Sequence, residues 1–311
     1  ITGNGGGDGI SGSDPTNWDT GAIPVSTDRV IIDTAAEITI SGAVSAKDLY
    51  IASGNDNTIT IKGDGSGSKL TLENVNNSSG GNGLVHSANA VINLGDGVES
   101  IHFVFNEVFR VNGDGGKSAT INIMDKAIVE SDRFILGGSS NGTPTINQYG
   151  TVNVTGTRMT TNKEGAFVVG LWSGNVTYNM EGGELNIKTG MTVVSGDGHG
   201  TFTMNNGVAN LIGLSLNGTQ NNKGVFNLNR GRLNIGASGI MHANESKGKI
   251  FNFGNGTVGA WADWTSSTAI NLIGNTRFNT EDSVVSSART ITLSGVLSGV
   301  GGLTKTETGT L

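Results

Sequence analysis

Short segments in which apolar and polar residues alternate recur along the whole chain. Segments of this kind, separated by Gly, Asn, Ser and Asp, predict β-strands that bury one face. In the first half of the chain they lie at 28–33, 36–41, 47–53, 57–63, 68–73 and 100–111. No segment requires the 3.6-residue period of a helix. The pattern therefore predicts an all-β protein.

Six segments share one layout and stand about 25 residues apart. Each has an alternating strand, a turn that carries Gly or Asn, and in most copies a second alternating strand. Their first strands begin at Thr120, Thr145, Val176, Thr201, Val225 and Ile250. The step that leads to Val176 is about six residues longer than the others. We expect the additional residues in the loop 172–175, because repeat proteins accommodate insertions in loops.

A repeat of this length with three short strands has the size of one turn of a parallel β-helix. Strands of successive turns then pair at about 4.8 Å, and inward residues stack on their counterparts. Gly and Asn suit the tight corners because both tolerate the left-handed backbone conformation, and Asn can also hydrogen-bond along a stack. The sequence predicts a single-stranded parallel β-helix, or β-solenoid, of about twelve rungs of roughly 25 residues.

The same pattern divides the chain into four segments. Residues 1–27 contain Trp18 and two of the three Pro residues, and we expect them to form an N-terminal cap over the first turn. A cap would cover unpaired backbone and apolar surface. Residues 28–118 are predicted to form irregular turns and residues 119–290 the regular repeats. Residues 291–311 form a last segment that could leave an open end.

Composition narrows the class of protein further. The 51 Gly residues among 311 argue against helical domains, since Gly destabilises helix interiors. The net charge of −7, from 19 basic and 26 acidic residues, argues against nucleic acid and anionic membrane surfaces as partners. Absence of Cys excludes disulfides and thiolate metal sites.

No apolar stretch approaches the length of a membrane span, and the first residues lack the pattern of a signal peptide, so we expect any leader to have been removed.

Catalysis on a lateral face would need paired carboxylates. The candidates are Glu130 with Asp132 and Arg133, and a second pair, Glu181 and Glu184. Solvated surface charge and turn formation explain them more simply. We therefore expect no enzyme activity and assign no catalytic residue.

Metal binding has few candidates in this sequence. The four His residues are isolated and lack the spacing of metal ligands: His86, His102, His199 and His242. Asp96, Asp114 and Asp197 lie in Gly-rich turns that could hold Ca²⁺, but the nine-residue calcium repeat is absent. We assign no metal site and no cofactor, with Ca²⁺ left as an open alternative.

Two tryptophans three residues apart, Trp261 and Trp264, are the candidates for a lateral binding patch. An exposed aromatic pair could stack on sugars or on a partner subunit. Packing in the core is the alternative interpretation.

The last segment carries a resemblance to a known family. Its sequence Gly301-Gly302-Leu303-Thr304-Lys305, followed by Gly309-Thr310-Leu311, resembles the autotransporter-associated β-strand repeat. Glu307 stands where that family usually has Gly. The resemblance covers residues 291–311 and implies a bacterial β-helix located outside the cell or on its outer surface. It implies no particular reaction.

These observations favour a structural function. We expect a rigid extracellular rod that assembles head to tail with other copies of itself into a surface filament or layer. The expected assembly residues are Trp18, Leu303, Gly309 and Leu311. An adhesin or passenger stalk that binds glycans or cell surfaces is the first alternative, and a polysaccharide lyase or glycosidase is the second.

Overall fold

The computed structural model is an all-β, parallel-strand β-solenoid. It describes residues 11–12, 14–32, 34–51, 57–65, 67–73, 84–86, 89–113, 117–138, 142–156, 165–171, 174–216, 222–242, 248–282 and 284–311. The predicted fold class is confirmed. The helical content of the described residues is one 3-10 turn at Pro15–Asn17.

The strands of the described residues are numbered in chain order. They are β1 (Arg29–Ile32), β2 (Ala36–Ile40), β3 (Ala43–Ala46), β4 (Asp48–Ile51), β5 (Asn57–Gly63), β6 (Lys69–Leu72), β7 (Leu84–His86), β8 (Ala90–Leu94), β9 (Ile101–Gly113), β10 (Thr120–Ile123), β11 (Ala127–Gly138), β12 (Thr145–Gln148), β13 (Thr151–Val154), β14 (Phe167–Leu171), β15 (Asn175–Met180), β16 (Glu184–Ile187), β17 (Thr192–Val194), β18 (His199–Met204), β19 (Val208–Leu216), β20 (Gly224–Leu228), β21 (Arg232–His242), β22 (Lys249–Phe253), β23 (Thr257–Ala260), β24 (Trp264–Ser266), β25 (Ile270–Leu272), β26 (Thr276–Asn279), β27 (Ile291–Leu293), β28 (Leu297–Ser298) and β29 (Leu303–Thr306).

The strands form three parallel sheets along the axis. Sheet 1 has sixteen strands and follows the path β1-β4-β7-β9-β11-β13-β16-β19-β21-β23-β26-β29, with β3, β6, β14 and β17 paired beside it. Sheet 2 has eleven strands in the order β2-β5-β8-β10-β12-β15-β18-β20-β22-β25-β28, and sheet 3 pairs β24 with β27. The long strands β9 and β11 bend through a corner, where their register shifts between Ser131 and Arg133. Each turn is therefore distributed over several faces of the solenoid.

The solenoid has about nine turns of about 25 residues. The expected twelve turns are not confirmed, because the step between equivalent positions varies. It is 33 residues from Thr60 to Asn93 and 19 residues from Asn252 to Asn271.

The predicted position of the insertion before Val176 is wrong. Glu130 pairs with Asn153, 23 residues later, whereas Phe134 pairs with Phe167, 33 residues later. The additional residues therefore lie between β13 and β14, and not at 172–175. Alternation of apolar and polar residues marks the strands. It does not show at which corner of a turn the additional residues lie.

The core is a column of inward-facing side chains that runs along the axis. Eight aromatic rings, each with no exposed surface, contact one another with centroid distances of 4.5 to 6.4 Å. They are Phe109, Phe134, Phe167, Tyr178, Phe202, Phe226, Phe253 and Phe278. Burial of such side chains is worth roughly 1.5–3 kcal/mol each, so this column contributes strongly to stability.

Asparagine side chains form hydrogen-bonded ladders on the outer surface. On sheet 2 the ladder positions are Thr60, Asn93, Asn122, Asn147, Asn179, Thr203, Asn227, Asn252 and Asn271. All but one pair of neighbours are joined by an amide N–H donated to the preceding turn, at 2.8 to 3.2 Å. A shorter ladder on sheet 1 joins Asn153, Asn186, Asn210 and Asn234. The expectation that Asn hydrogen-bonds along a stack is confirmed.

Glycines form one corner column between sheets 2 and 1. Gly183 and Gly207 have φ angles of 64° and 86°, the left-handed region that disfavours other residues. A Cβ at Gly183 would lie 1.9 Å from the carbonyl oxygen of Gly150 in the preceding turn. Glycine is therefore required there for two reasons, backbone conformation and the close approach of neighbouring turns.

Candidate functional site

The last turn of the described chain has one uncovered surface. Leu297 is 39% exposed, although its partner one turn earlier, Ile270, is 1% exposed. Leu303 is 37% exposed, and its partner Thr276 is completely buried. These side chains occupy core positions, and within the described residues no later turn lies over them. The last turn thus presents both an apolar surface and the outer edges of β28 and β29.

Gly309 and Leu311 lie next to this surface. A Cβ at Gly309 would lie 2.1 Å from the carbonyl oxygens of both Thr280 and Arg289, so Gly309 fits tightly against the turn below. Leu311 is 37% exposed. The structure therefore brings Leu303, Gly309 and Leu311 to the same end of the solenoid.

Trp18 lies in the core at the opposite end. Its ring is 7% exposed and its indole N–H donates to the carbonyl of Gly12 at 3.2 Å. Together with Pro24 and Val30 it borders a small apolar cavity of about 30 Å³. The expected assembly role needs correction for this side chain, because the ring is covered within its own chain.

The two tryptophans of the expected lateral patch have different environments. Trp264 is 2% exposed and its strand β24 alternates buried, exposed, buried. It is a core residue, so the expected exposed pair does not form. Trp261 is half-buried in the corner between β23 and β24 and borders an open groove.

This groove has a volume of about 550 Å³ and runs along the axis on the outer side of sheet 1. Four successive turns contribute to it: residues 186–188, 210–212, 236–237 and 261–262. The amides of Asn186 and Asn210 form one wall, and their ladder fixes their orientation. We call this the Trp261 groove.

The charge of the Trp261 groove comes from Lys188, which is exposed. Among the described residues that border the groove there is no carboxylate. Arg232 lies beside the ladder and donates to Asn234 Oδ1 at 2.7 Å. Burial lowers the pKa of its guanidinium from the ordinary value, against the opposite effect of Glu307 and Asp282. A guanidinium with such a shift stays cationic at neutral pH, so Arg232 places a positive charge beside the ladder.

Glu130 and Asp132 border a second, polar pocket of about 270 Å³ together with Asn106 and Thr155. Asp132 is 8% exposed and accepts a hydrogen bond from the Thr155 hydroxyl at 3.2 Å. Glu130 lies 3.4 Å from His102 Nε2. The expectation that both carboxylates share an exposed face needs correction, because the bulge after Ser131 moves Asp132 into the corner.

The other acidic candidates form structural contacts. Glu181 accepts an amide N–H from Asn205 at 2.8 Å, and Glu184 accepts one from Asn186 at 3.4 Å. Asp96 accepts backbone N–H groups of the turn that follows it. Asp114 and the side chain of His86 lie outside the described residues. His199 Nδ1 accepts the backbone N–H of Lys223.

Neither a metal-binding cluster nor a membrane-spanning helix occurs in the described part of the chain. No group of three or more His, Asp or Glu side chains is placed to hold a metal ion in that part of the chain. The same residues contain no helix with the length and hydrophobicity of a membrane span.

Sequence reasoning identified Trp261 but missed the groove beside it. Lys188, Ile212, Gly236 and Trp261 each come directly after an equivalent buried position of sheet 1, in four successive repeats. This common position is the signal that could have grouped them. Their alignment needs the exact length of each repeat, which varies along the chain.

Comparison with known proteins gives no relative. No protein-family model, curated protein or solved structure matches the chain.

Proposed function

We propose that this protein is an extracellular structural protein, a rigid β-solenoid rod that assembles head to tail with copies of itself. One observation carries the proposal. Sheet 1 begins at β1 and ends at β29, and within the described residues each of these strands has a free edge. All pairs in the sheet are parallel, so β29 of one copy could continue into β1 of the next without reversal of direction.

The apolar surface of the last turn supports the same contact. Leu297 and Leu303 would regain the burial that equivalent residues have in earlier turns. Because the contact joins two different surfaces, it is heterologous and generates an open filament unless it closes into a ring.

We also propose that residues 1–27 act as a cap on the first turn. The buried ring of Trp18 and the pairing of Ser11 with Thr39 on β2 support this role for the described part of the segment. The cap would cover the edge of sheet 2 and leave β1 as the accessible edge.

The proposal also covers the location of the protein and its lack of catalytic activity. The resemblance of residues 291–311 to autotransporter-associated repeats supports a bacterial extracellular or outer-surface location. We propose no catalytic activity, since Asp132 of the best acidic pair is 8% exposed and is bound by Thr155.

Negative-stain microscopy and sedimentation across a concentration series test the assembly. We expect filaments of uniform width that lengthen with concentration. Leu303→Lys should shorten them, because it places a charge at the contact. Ile250→Lys is the matched control, since Ile250 is 44% exposed on the lateral face of sheet 2. Monomeric rods at every concentration would refute the proposal.

A further inference from the structure

The Trp261 groove has the features of a ligand site on the lateral face, independent of any contact at the ends. Its volume of about 550 Å³ lies within the range of small-molecule sites. Three turn-to-turn spacings separate Lys188 from Trp261, which gives a length of about 14 Å. A ligand that fills it must be elongated and lie parallel to the axis.

The wall of the groove offers regularly spaced hydrogen-bonding groups. Asn210 donates one N–H to Asn186 Oδ1 at 2.7 Å and accepts one N–H from Asn234 at 2.8 Å. An amide has two N–H groups and two oxygen lone pairs, so one of each remains on Asn210 for a ligand. The ladder holds these groups in place before a ligand binds, which lowers the entropic cost of binding.

The indole of Trp261 is positioned by packing. Its Nε1 is buried and has no hydrogen-bond partner among the residues that the structure describes, and a Cβ at Gly236 would lie 2.4 Å from it. The polar edge of the ring is therefore turned against Gly236. The apolar remainder of the ring borders the groove at the end opposite Lys188.

These features select one class of ligand. An aromatic ring suits the C–H face of a sugar, the amides suit hydroxyl groups, and the ammonium of Lys188 suits a carboxylate. We propose that the Trp261 groove binds a short acidic oligosaccharide that contains uronic acid units. No carboxylate among the described residues borders the groove, so it lacks the paired carboxylates that glycoside hydrolysis uses.

Calorimetric titration with trigalacturonic acid, and with maltotriose as the neutral probe, tests the proposal. We expect trigalacturonic acid to bind, more tightly at low ionic strength, and maltotriose to bind more weakly. Trp261→Ala should weaken binding by about tenfold or more, the scale of a lost aromatic anchor. Lys188→Ala should remove the preference for the acidic sugar and its dependence on salt.

Matched controls separate the site from general effects. Tyr149→Ala removes an aromatic ring that is 42% exposed outside the groove, and Lys223→Ala removes an exposed lysine near sheet 2. Both should bind as the parent protein does. Gly236→Ala should weaken binding because its Cβ displaces the indole, and Trp261→Phe provides an aromatic variant if Trp261→Ala does not fold.

Three results would overturn the proposal. They are the absence of binding by both trisaccharides at millimolar concentration, unchanged affinity in Trp261→Ala, and equal affinity for the acidic and neutral sugars. The titrations are repeated with Leu303→Lys, in which end-to-end contact is blocked. Binding that persists in that variant places the sugar on the lateral face as proposed, and loss of binding there would contradict it.

Discussion

The hydroxyl of Tyr178 donates a hydrogen bond to Oε1 of Gln148 at 2.5 Å, and both side chains are completely buried. The Gln148 amide in turn donates to the carbonyls of Gly150 and Glu184 at 2.9 and 2.7 Å. Burial raises the pKa of Tyr178 well above its ordinary value, so its hydroxyl stays protonated and remains a donor. The pair joins a strand of sheet 2 to the glycine corner at the turn that contains the insertion between β13 and β14.

Tyr178→Phe should destabilise the protein by about 1–3 kcal/mol, because Gln148 Oε1 would lose its donor inside the core. Gln148→Leu should cost more, since the tyrosine hydroxyl and two backbone carbonyls would all lose a partner. Thermal unfolding measures both. Tyr149→Phe, at an exposed position, should be close to neutral. Equal effects of the two tyrosine substitutions would contradict this account.

Thr203→Asn should stabilise the solenoid by about 0.5–1.5 kcal/mol, the net value of a hydrogen bond. The Thr203 hydroxyl accepts a hydrogen bond from the side-chain amide of Asn227 at 3.2 Å. In the described residues, however, no hydrogen bond joins Thr203 to Asn179. An amide at this position would close the only gap in the sheet 2 ladder as described. The control is Thr201→Asn, two residues earlier on the same outer face, where there is no ladder to complete. Thr201→Asn should be neutral or destabilising, since Asn is disfavoured in strands. Stabilisation by both substitutions would show that the ladder is not the cause.

Glu307→Gly should stabilise the last turn by about 0.5–1 kcal/mol. Glu307 has a φ angle of 67°, a left-handed conformation that is costly for any residue except Gly. It is also the position at which the resembling repeats usually carry Gly. Glu307→Ala, which removes the carboxylate and keeps the strain, is the control and should give no such gain. The readout is the unfolding temperature together with hydrogen exchange of β29, and an equal gain in Glu307→Ala would exclude backbone strain as the reason.

Acidification should destabilise the turn around Asp282. Burial, the largest single effect, raises the pKa of this carboxyl, but the hydrogen bond from Arg289 and the backbone N–H groups of Val284 and Val285 together lower the pKa below its ordinary value. A lowered folded-state pKa means that the stabilisation is complete above the unfolded-state value of about 3.9 and is lost as pH falls through the folded-state value.

Asp282→Asn should therefore be less stable than the parent protein near neutral pH, and the difference should shrink as pH falls through the lowered folded-state pKa. Unfolding temperatures measured from about pH 7 to about pH 2 provide the comparison. Arg289→Gln should make the unfolding temperature depend less on pH over the same range, because it removes the 2.9 Å contact with Asp282. A difference between parent and Asp282→Asn that is constant over the whole range would rule out this linkage.

Alternation of apolar and polar residues is enough to show where the strands lie and which of their side chains face inward. Phe202 and Phe226 meet in the core because alternation fixes the face, and the 24-residue step between their strands fixes the partner. The part of the sheet 2 ladder from Asn179 to Asn252, where the step is 24 or 25 residues, was predictable for the same reason. Residues at equal positions of successive turns are neighbours in a parallel solenoid, whatever the shape of the corners.

The environment of residues at the corners, in contrast, depends on how the whole chain folds. Trp261 and Trp264 lie on either side of a corner, where the alternation of inward and outward residues restarts. Their spacing in the sequence therefore could not show that Trp261 borders a groove and Trp264 is buried. The position of the long insertion and the contact between Tyr178 and Gln148 also depend on how the chain bends between strands. Those bends are set by the closure of each turn on its neighbours, which is a property of the whole coil and not of a local pattern.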